Sequence, residues 1–460
     1  GDLGLMRKVA TSKTSDASMA VDGYDNIWIG TSGHGIKKLS LFRQPFTTLA
    51  SGASIRKLFY DQGIYAGLIE TNGYFGVNEQ TQQLSNSPAF DGEPLINLFK
   101  ASNGTVYRIA EETGSLKTKL NYLKNGKNKS LLLNLHTYGF SAVAEDKNGR
   151  IWLGGGGTTV ACFNPLDESI KYLPFPKELG ESAYVNDLMV DEAGNLWVGT
   201  YYGLLWFDLA TLEQGAADQL ACPKYKTFTN NPKDLNSLRS NTILSLLNDP
   251  KRPKDYIWVA TKGGGLQRLE TATGKFLGFI QRNSDLPNDV VYGMLADLNK
   301  NIWLSTNAGL SRLTLDYSDT SKHNFKFKNF NKKDGLQEDE FNLAYAKSSD
   351  GRFFFGGING ITAFRPSEII DRESDAKTLL TNISLNNQPL NSTEQLALMG
   401  CLIHDAKEVI LPHDKNLLSF EFSLMDFNNT KENQYRYRLV GADPDLVYSH
   451  TRESATYANL

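Results

Sequence analysis

The stretch Gly194-Asn195-Leu196-Trp197-Val198-Gly199-Thr200 decides how the rest of the chain is read. A short apolar run with a tryptophan at its centre, opened by Gly-Asn and closed by Gly-Thr, is a strand between two turns. The same pattern stands at Asn26-Ile27-Trp28-Ile29-Gly30-Thr31, at Gly149-Arg150-Ile151-Trp152-Leu153-Gly154, at Tyr256-Ile257-Trp258-Val259-Ala260-Thr261 and at Asn301-Ile302-Trp303-Leu304-Ser305-Thr306. Five of the six tryptophans occupy this one position; the sixth, Trp206, does not. Weaker copies place Tyr65, Tyr107 and Phe354 there.

The eight anchors, 28, 65, 107, 152, 197, 258, 303 and 354, are spaced by 37, 42, 45, 45, 61, 45 and 51 residues. A period of about 40–50 residues is that of a four-stranded propeller blade. Each unit reads alike. Asp187-Leu188-Met189-Val190-Asp191 is a first strand, Glu192-Ala193-Gly194-Asn195 a hairpin turn, then the Trp strand, then Gly203-Leu204-Leu205-Trp206-Phe207-Asp208, and Lys224 to Phe228 closes the unit. Alternation along a strand sends Trp28 to one face and Ile27 and Ile29 to the other. A ring at that place is an inter-blade wedge, so the anchor tryptophans read as core.

Composition agrees with many short strands and turns: 40 Gly and 50 aromatics against 15 Pro in 460 residues. Lys+Arg is 48 and Asp+Glu is 51, a net charge of −3 with no long basic run, which argues against nucleic-acid binding. No stretch reaches the ~18 apolar residues that span a bilayer. Gly1 to Val9 lacks the apolar core of a signal peptide. Cys162, Cys222 and Cys401 are too few and too dispersed for a disulfide framework or a CxxC metal site.

The repeats resemble the two-component-regulator propeller repeats of the extracytoplasmic part of hybrid two-component sensors from gut Bacteroidetes. Asn230 to Asn241 resembles that family's inter-blade connection, with its Ser237-Leu238 followed by Asn241. Lys333-Asp334-Gly335-Leu336-Gln337 with Phe341-Asn342, Gly356 to Gly360 and Phe364-Arg365-Pro366 looks like the last repeat. Tyr435-Arg436-Tyr437-Arg438-Leu439-Val440-Gly441 and Ala455 to Leu460 resemble the sandwich domain named for three tyrosines. Where that domain usually has Trp, this chain has Asp445-Leu446-Val447-Tyr448, and Tyr448 or Leu446 is expected to stand in as the core residue.

The expected fold is therefore all-β: a β-propeller of seven blades plus one extra repeat, or of eight, followed by a partial immunoglobulin-like β-sandwich. Residues 1–52 hold the first repeat, read as the last blade of an upstream ring; 53–366 hold the seven-bladed propeller; 367–375 form a linker; 376–460 form the sandwich, cut at its C-terminal end. Glu394 to Met399 is the best helical segment, worth a turn or two.

A search for chemistry finds no HExxH, GxSxG or Walker loop. Gly154-Gly155-Gly156-Gly157 follows a Trp strand with no helix after it, so it reads as a hairpin and not a phosphate cradle. The acidic turns, of which Asp146-Lys147-Asn148-Gly149 is the best copy, lack the spaced carboxylates of a calcium loop and read as turn caps. No cofactor, metal or catalytic residue is expected. Candidate ligand-binding residues are those of the hairpins joining second and third strands, His34, Tyr201, Tyr202, Lys262, Asn307 and Asn359, with Arg239 from an inter-blade connection. Adjacent exposed Tyr201 and Tyr202 are the foremost pair.

The resemblance implies a periplasmic sensor region of a transmembrane hybrid histidine kinase that detects an oligosaccharide and regulates polysaccharide use. It implies a homodimer through the sandwich, a membrane helix and kinase outside these residues, and no nucleic-acid contact here. A protein-interaction scaffold is the alternative, and a polysaccharide lyase or hydrolase the least favoured reading.

Overall fold

The computed structural model describes residues 16–22, 26–31, 35–40, 44–68, 73–90, 95–112, 117–136, 142–179, 183–215, 217–281, 284–318, 325–371, 376–411, 416–425 and 433–458. Strands dominate throughout; among the described residues one α-helix occurs, Ser392–Met399. The chain divides into two compact units, Gln44–Ile369 and a second made of Gly1–Arg43 with Ile370–Leu460.

The larger unit is a propeller of antiparallel four-stranded sheets. Blade one is built from Ile55–Tyr60, Ile64–Leu68, Tyr74–Asn78 and Gln83–Pro88. Blade two runs from Leu95–Lys100 to Lys127–His136, blade three from Ala142–Glu145 to Ser169–Pro174, and blade four from Ala183–Val190 to Tyr225–Phe228. Blade five runs from Ile243–Asn248 to Phe276–Phe279, and blade six from Val291–Ala296 to Lys326–Phe330. Blade seven takes three strands from Phe341–Lys347, Phe353–Gly357 and Gly360–Phe364, and its fourth, Thr47–Leu49, from the other end of the unit. Residues 47–49, which the repeat spacing groups with the first repeat in 1–52, thus belong to the last sheet.

Each blade packs on the next through the anchor. Trp152 lies in one cluster with Val185 and Leu188 of blade four, while Ile151 and Leu153 face Tyr107 and Tyr122 of blade two. Trp197 meets Ile243 and Leu246, Trp258 meets Met294 and Leu304, and Trp303 meets Phe341 and Phe355. Phe354 meets Leu58, Ile64 and Ala66 of blade one, which closes the circle. Trp152, Trp258 and Trp303 are wholly buried, and an aromatic of that size contributes several kcal/mol, at about 25 cal/mol per Å² of apolar surface buried.

The carboxylates of the acidic turns have one recurrent use. Asp146, Asp191 and Asp297 each accept the indole N–H of the tryptophan six residues on, at 2.8, 2.8 and 3.0 Å. Asp249 does the same for Trp258 across a longer turn, at 2.8 Å, and Asp22 for Trp28 in the smaller unit, at 2.8 Å. The remaining carboxylate oxygen takes turn amides, such as Asn301 N to Asp297 at 2.8 Å. Two of the anchors without an N–H have no acid in this turn, Ala101 preceding Tyr107 and Ser348 preceding Phe354, and Asp61, in the turn before Tyr65, pairs with Lys100 instead.

The four-glycine run of blade three is a backbone bridge. Gly156 pairs with His136 of blade two and with Tyr184 of blade four. A side chain at Gly154 would meet Val185 at 2.5 Å.

The smaller unit contains a three-stranded sheet, Asp16–Val21, Asn26–Thr31 and Gly35–Ser40. It also contains a four-stranded sheet in the order Gln388–Pro389, Thr378–Leu385, Leu417–Leu424, Ser454–Ala458, and a ladder of Tyr435–Tyr437 with Val447–His450. Phe422, Tyr435 and Ala455 are its buried centre, flanked by Tyr437 and Tyr457. The hydroxyl of Tyr435 donates to Glu453 at 3.0 Å, and that of Tyr457 donates to Asp443. Tyr448 and Leu446 are 65% and 49% exposed, so neither fills a core place. The helix starts two residues before the segment read from sequence, because Asn391 and Glu394 form a capping box, and it stops at Gly400 in the left-handed conformation.

Candidate functional site

First strands of neighbouring blades touch one another around the ring, so they line its axis. Second-to-third-strand turns therefore cluster at one end. These turns are formed by a threonine that closes the Trp strand. The hydroxyl of Thr200 donates to Gly203 O at 2.8 Å and accepts from Tyr202 N at 3.0 Å; Thr306 repeats this with Gly309 and Ala308. Gly203 and Gly309 have φ of 136° and 100°, which favours glycine at both places.

The candidate residues occupy these turns in successive blades, one turn each, and not a single pocket. Tyr202 is 47% exposed. Tyr201 is half-buried, edge-on against Tyr184 with centroids 5.9 Å apart, so the expected pair of open rings reduces to one. Lys262 is exposed, held by its backbone to Thr242 and Ser240. Asn307 is half-buried and hydrogen-bonded to the Tyr292 hydroxyl, whose pKa is raised by burial. Asn359 is a tie across the closing seam: its Oδ1 accepts from Gly52 N at 3.0 Å and its own amides donate to Gln337. Arg239 lies over Gly278 of blade five, where any Cβ would collide with its guanidinium. His34 lies outside the described residues.

Asn359 does border a depression of about 660 Å³ at the seam of blades seven and one. Thr48, Ser51, Thr81, Gln82, Gln83 and Gln337 line it with amides and hydroxyls and no charged group. Amides and hydroxyls in an open concavity suit a neutral polyhydroxylated ligand.

A second constellation lies on the axis and was missed in the sequence. The first strands of blades one, two, four, five, six and seven carry bulges. In three of these, a bulge side chain reaches the opening carbonyl of the next first strand: Arg56 to Leu95 O, Asn186 to Ile243 O and Asn342 to Ile55 O, at 3.3, 2.6 and 3.0 Å. Lys57, Asp187 and Ser245 follow the bulge and meet across the ring. The Ser245 and Tyr345 hydroxyls are 2.9 Å apart, the tyrosine crossing Gly293 of blade six, where a Cβ would collide with the ring. Asp187 accepts from Leu246 N at 2.7 Å. Burial pushes the Asp187 carboxyl up to about 6, against backbone hydrogen bonds and the Lys57 charge that pull it down. Burial likewise pushes the Lys57 ammonium down and the Tyr345 hydroxyl up. The legible signal was a charged residue inside an otherwise apolar first strand, as in Ile55-Arg56-Lys57-Leu58 and Val185-Asn186-Asp187-Leu188.

The fold and its repeats define a β-propeller. The two component regulator propeller family matches residues 179–202, the junction into blade four and its first two strands. The chain is 27% identical over 410 residues to Histidine kinase P4 of Formosa agariphila, covering 86% of this chain and 27% of that protein. The chain thus spans about a quarter of the length of this curated relative. It is similar to the extracellular domain of a hybrid two component system from B. thetaiotaomicron, with a TM-score of 0.57, 20% identity, and coverage of 97% of this chain and 57% of that one. Virginiamycin B lyase of Staphylococcus aureus is similar over 69% of this chain and 97% of its own, at 13% identity and a TM-score of 0.49, a level that says nothing about chemistry. The resemblance read from the repeats is thus supported by the family match in blade four and by matches that extend over most of the chain.

Proposed function

We propose that this chain is the ligand-sensing region of a hybrid histidine kinase, placed outside the cytoplasmic membrane in the periplasm, and that it detects an oligosaccharide to control polysaccharide use. The similarity to Histidine kinase P4 over most of this chain carries the reading. The uncharged depression bordered by Asn359, Gln82 and Gln83 is where a neutral sugar chain fits. The ligand would act by binding two arrangements of a dimer unequally, because only differential affinity shifts a conformational equilibrium. The module of Tyr435, Tyr437 and Tyr457 would supply the dimer contact, and the chain itself would do no catalysis. Titration calorimetry of the purified chain with a panel of oligosaccharides tests this. One member is expected to give saturable heat that Gln83→Ala and Thr81→Ala reduce severalfold; silence across the panel sinks direct sensing.

A scaffold reading has one observation in its favour. Met19 and Val21, on one face of the three-stranded sheet, stand 73% and 68% exposed. Exposed apolar groups gathered on one small sheet mark a docking face.

A further inference from the structure

Trp206 is the tryptophan that no blade needs as its anchor. In the described residues each of the five anchor indoles donates to an aspartate; the Trp206 N–H has no protein partner. Its ring is half-buried, directly across the ladder from Trp197, with centroids 6.4 Å apart. In blades five and six the corresponding place holds an arginine, Arg268 or Arg312, set opposite Trp258 or Trp303. Around Arg268 the neighbouring groove is filled by Tyr256, Tyr317 and Phe325. Between blades four and five it is open.

The opening is a cavity of about 190 Å³. At ~30 Å³ of liquid volume per water it has room for about six waters, comparable to one hydroxylated six-membered ring. Trp206, Trp197 and Phe228 form its aromatic wall, and Lys226, Lys254 and Asn195 stand at it. Both lysines are exposed, and the Lys226 ammonium sits 5.2 Å from the Trp206 ring centre. The lining has one acid, Asp191, and its oxygens are taken by Trp197, Asn195 and the turn amide. The available groups are therefore an aromatic face, an indole donor, an amide oxygen and two cations, with no free negative charge. The cavity opens among first-to-second-strand and third-to-fourth-strand turns, at the other end of the strands from Tyr202 and Lys262.

We infer that this cleft binds a single anionic pyranose unit, its ring against Trp206 and its carboxylate or sulfate ester between Lys226 and Lys254. The apolar face of a sugar ring stacks on an indole, and the two ammonium groups select charge. The inference shares a ligand class with the sensing reading but not a site, so the two fail separately.

The test uses the whole chain and tryptophan fluorescence with titration calorimetry against D-galacturonate, glucose 6-sulfate, glucose and acetate. Galacturonate or glucose 6-sulfate is expected to bind saturably and at least tenfold more tightly than glucose, with affinity falling as salt rises. Trp206→Ala is expected to abolish it, and Lys226→Gln with Lys254→Gln to weaken it at least fivefold and flatten the salt dependence. Tyr202→Ala is expected to leave it unchanged. Trp206→Phe guards against misfolding: it keeps a stacking face and is expected to retain part of the affinity. No saturable binding of either anionic sugar overturns the inference. So does acetate binding as tightly as galacturonate, which would mark an adventitious ion only, or binding that survives Trp206→Ala. A panel of oligosaccharides that binds at the seam while this cleft stays silent would leave sensing intact and remove the cleft.

Discussion

At the scale of single residues, the clearest rule is that an anchor N–H brings its own acid. Asp297→Ala strips a partner from Trp303 and from Asn301 N, and an unsatisfied buried donor costs about 1–3 kcal/mol. The urea midpoint of the propeller is expected to fall accordingly, while Ser348→Ala, at the same place before Phe354, costs less because no indole depends on it. Equal losses in the two variants would refute the rule. Asp187 gives a pH prediction. Its folded value of about 6 lies above the ~3.9 of an unfolded aspartate, so the folded state holds this proton more tightly. That contribution is complete below about pH 4 and is lost as pH rises through about 6. Relative to Asp187→Asn, the native protein is expected to lose about 2–3 kcal/mol of unfolding free energy between pH 4 and 7, at ~1.4 kcal/mol per unit. Lys57, Ser245 and Tyr345 face the group and stay unchanged in this comparison. Parallel pH profiles would show that the carboxyl titrates normally. The anchors were legible because one large residue recurs at a fixed place. The axial cluster showed only as charged residues inside apolar first strands, since its members come from different blades and sequence distance hides their meeting.

At the scale of elements, the strand order within each blade followed from turn glycines and the period, but the origin of one strand did not. Thr47–Leu49 is only three residues long, too short for a periodic signal, and its partner Gly360–Phe364 lies more than three hundred residues away. Leu49 is wholly buried beside Phe354 and Ile361. Leu49→Ala is expected to cost about 2–5 kcal/mol, the range for truncating a buried leucine, read from the shift in denaturant midpoint at constant slope. A cost below 1 kcal/mol would mean that the seam contributes little. The turn residues chosen as ligand contacts were found in the right turns. Asn359 proves to be spent on the seam, because a polar side chain in a tight hairpin is as apt to bond its neighbours as a ligand, and Arg239, in its inter-blade connection, packs over Gly278.

At the scale of the whole molecule, the repeat count marks where the ring's material lies but not where the ring is cut. A chain begun at residue 53, where the repeat spacing alone sets the boundary, lacks the fourth strand of blade seven and leaves the edge of Gly360–Phe364 unpaired. Open edges pair with other copies. That chain is expected to elute as oligomers or to aggregate, whereas one spanning Gln44–Ile369 elutes as a compact monomer; identical elution would show that blade seven stands on three strands. The same seam has a mechanical side. The pair Ile361 and Leu49 lies at one end of the closing ladder, and Ala363 with Thr47 at the other, beside which the chain both enters and leaves. Tension applied between the two ends of the unit therefore falls on this ladder in the peeling direction, one rung after another, with Phe46 and Ile369 packed over the first rungs. Six blades sit outside the load path. The ring is thus a buckled belt, built to part at the buckle when pulled.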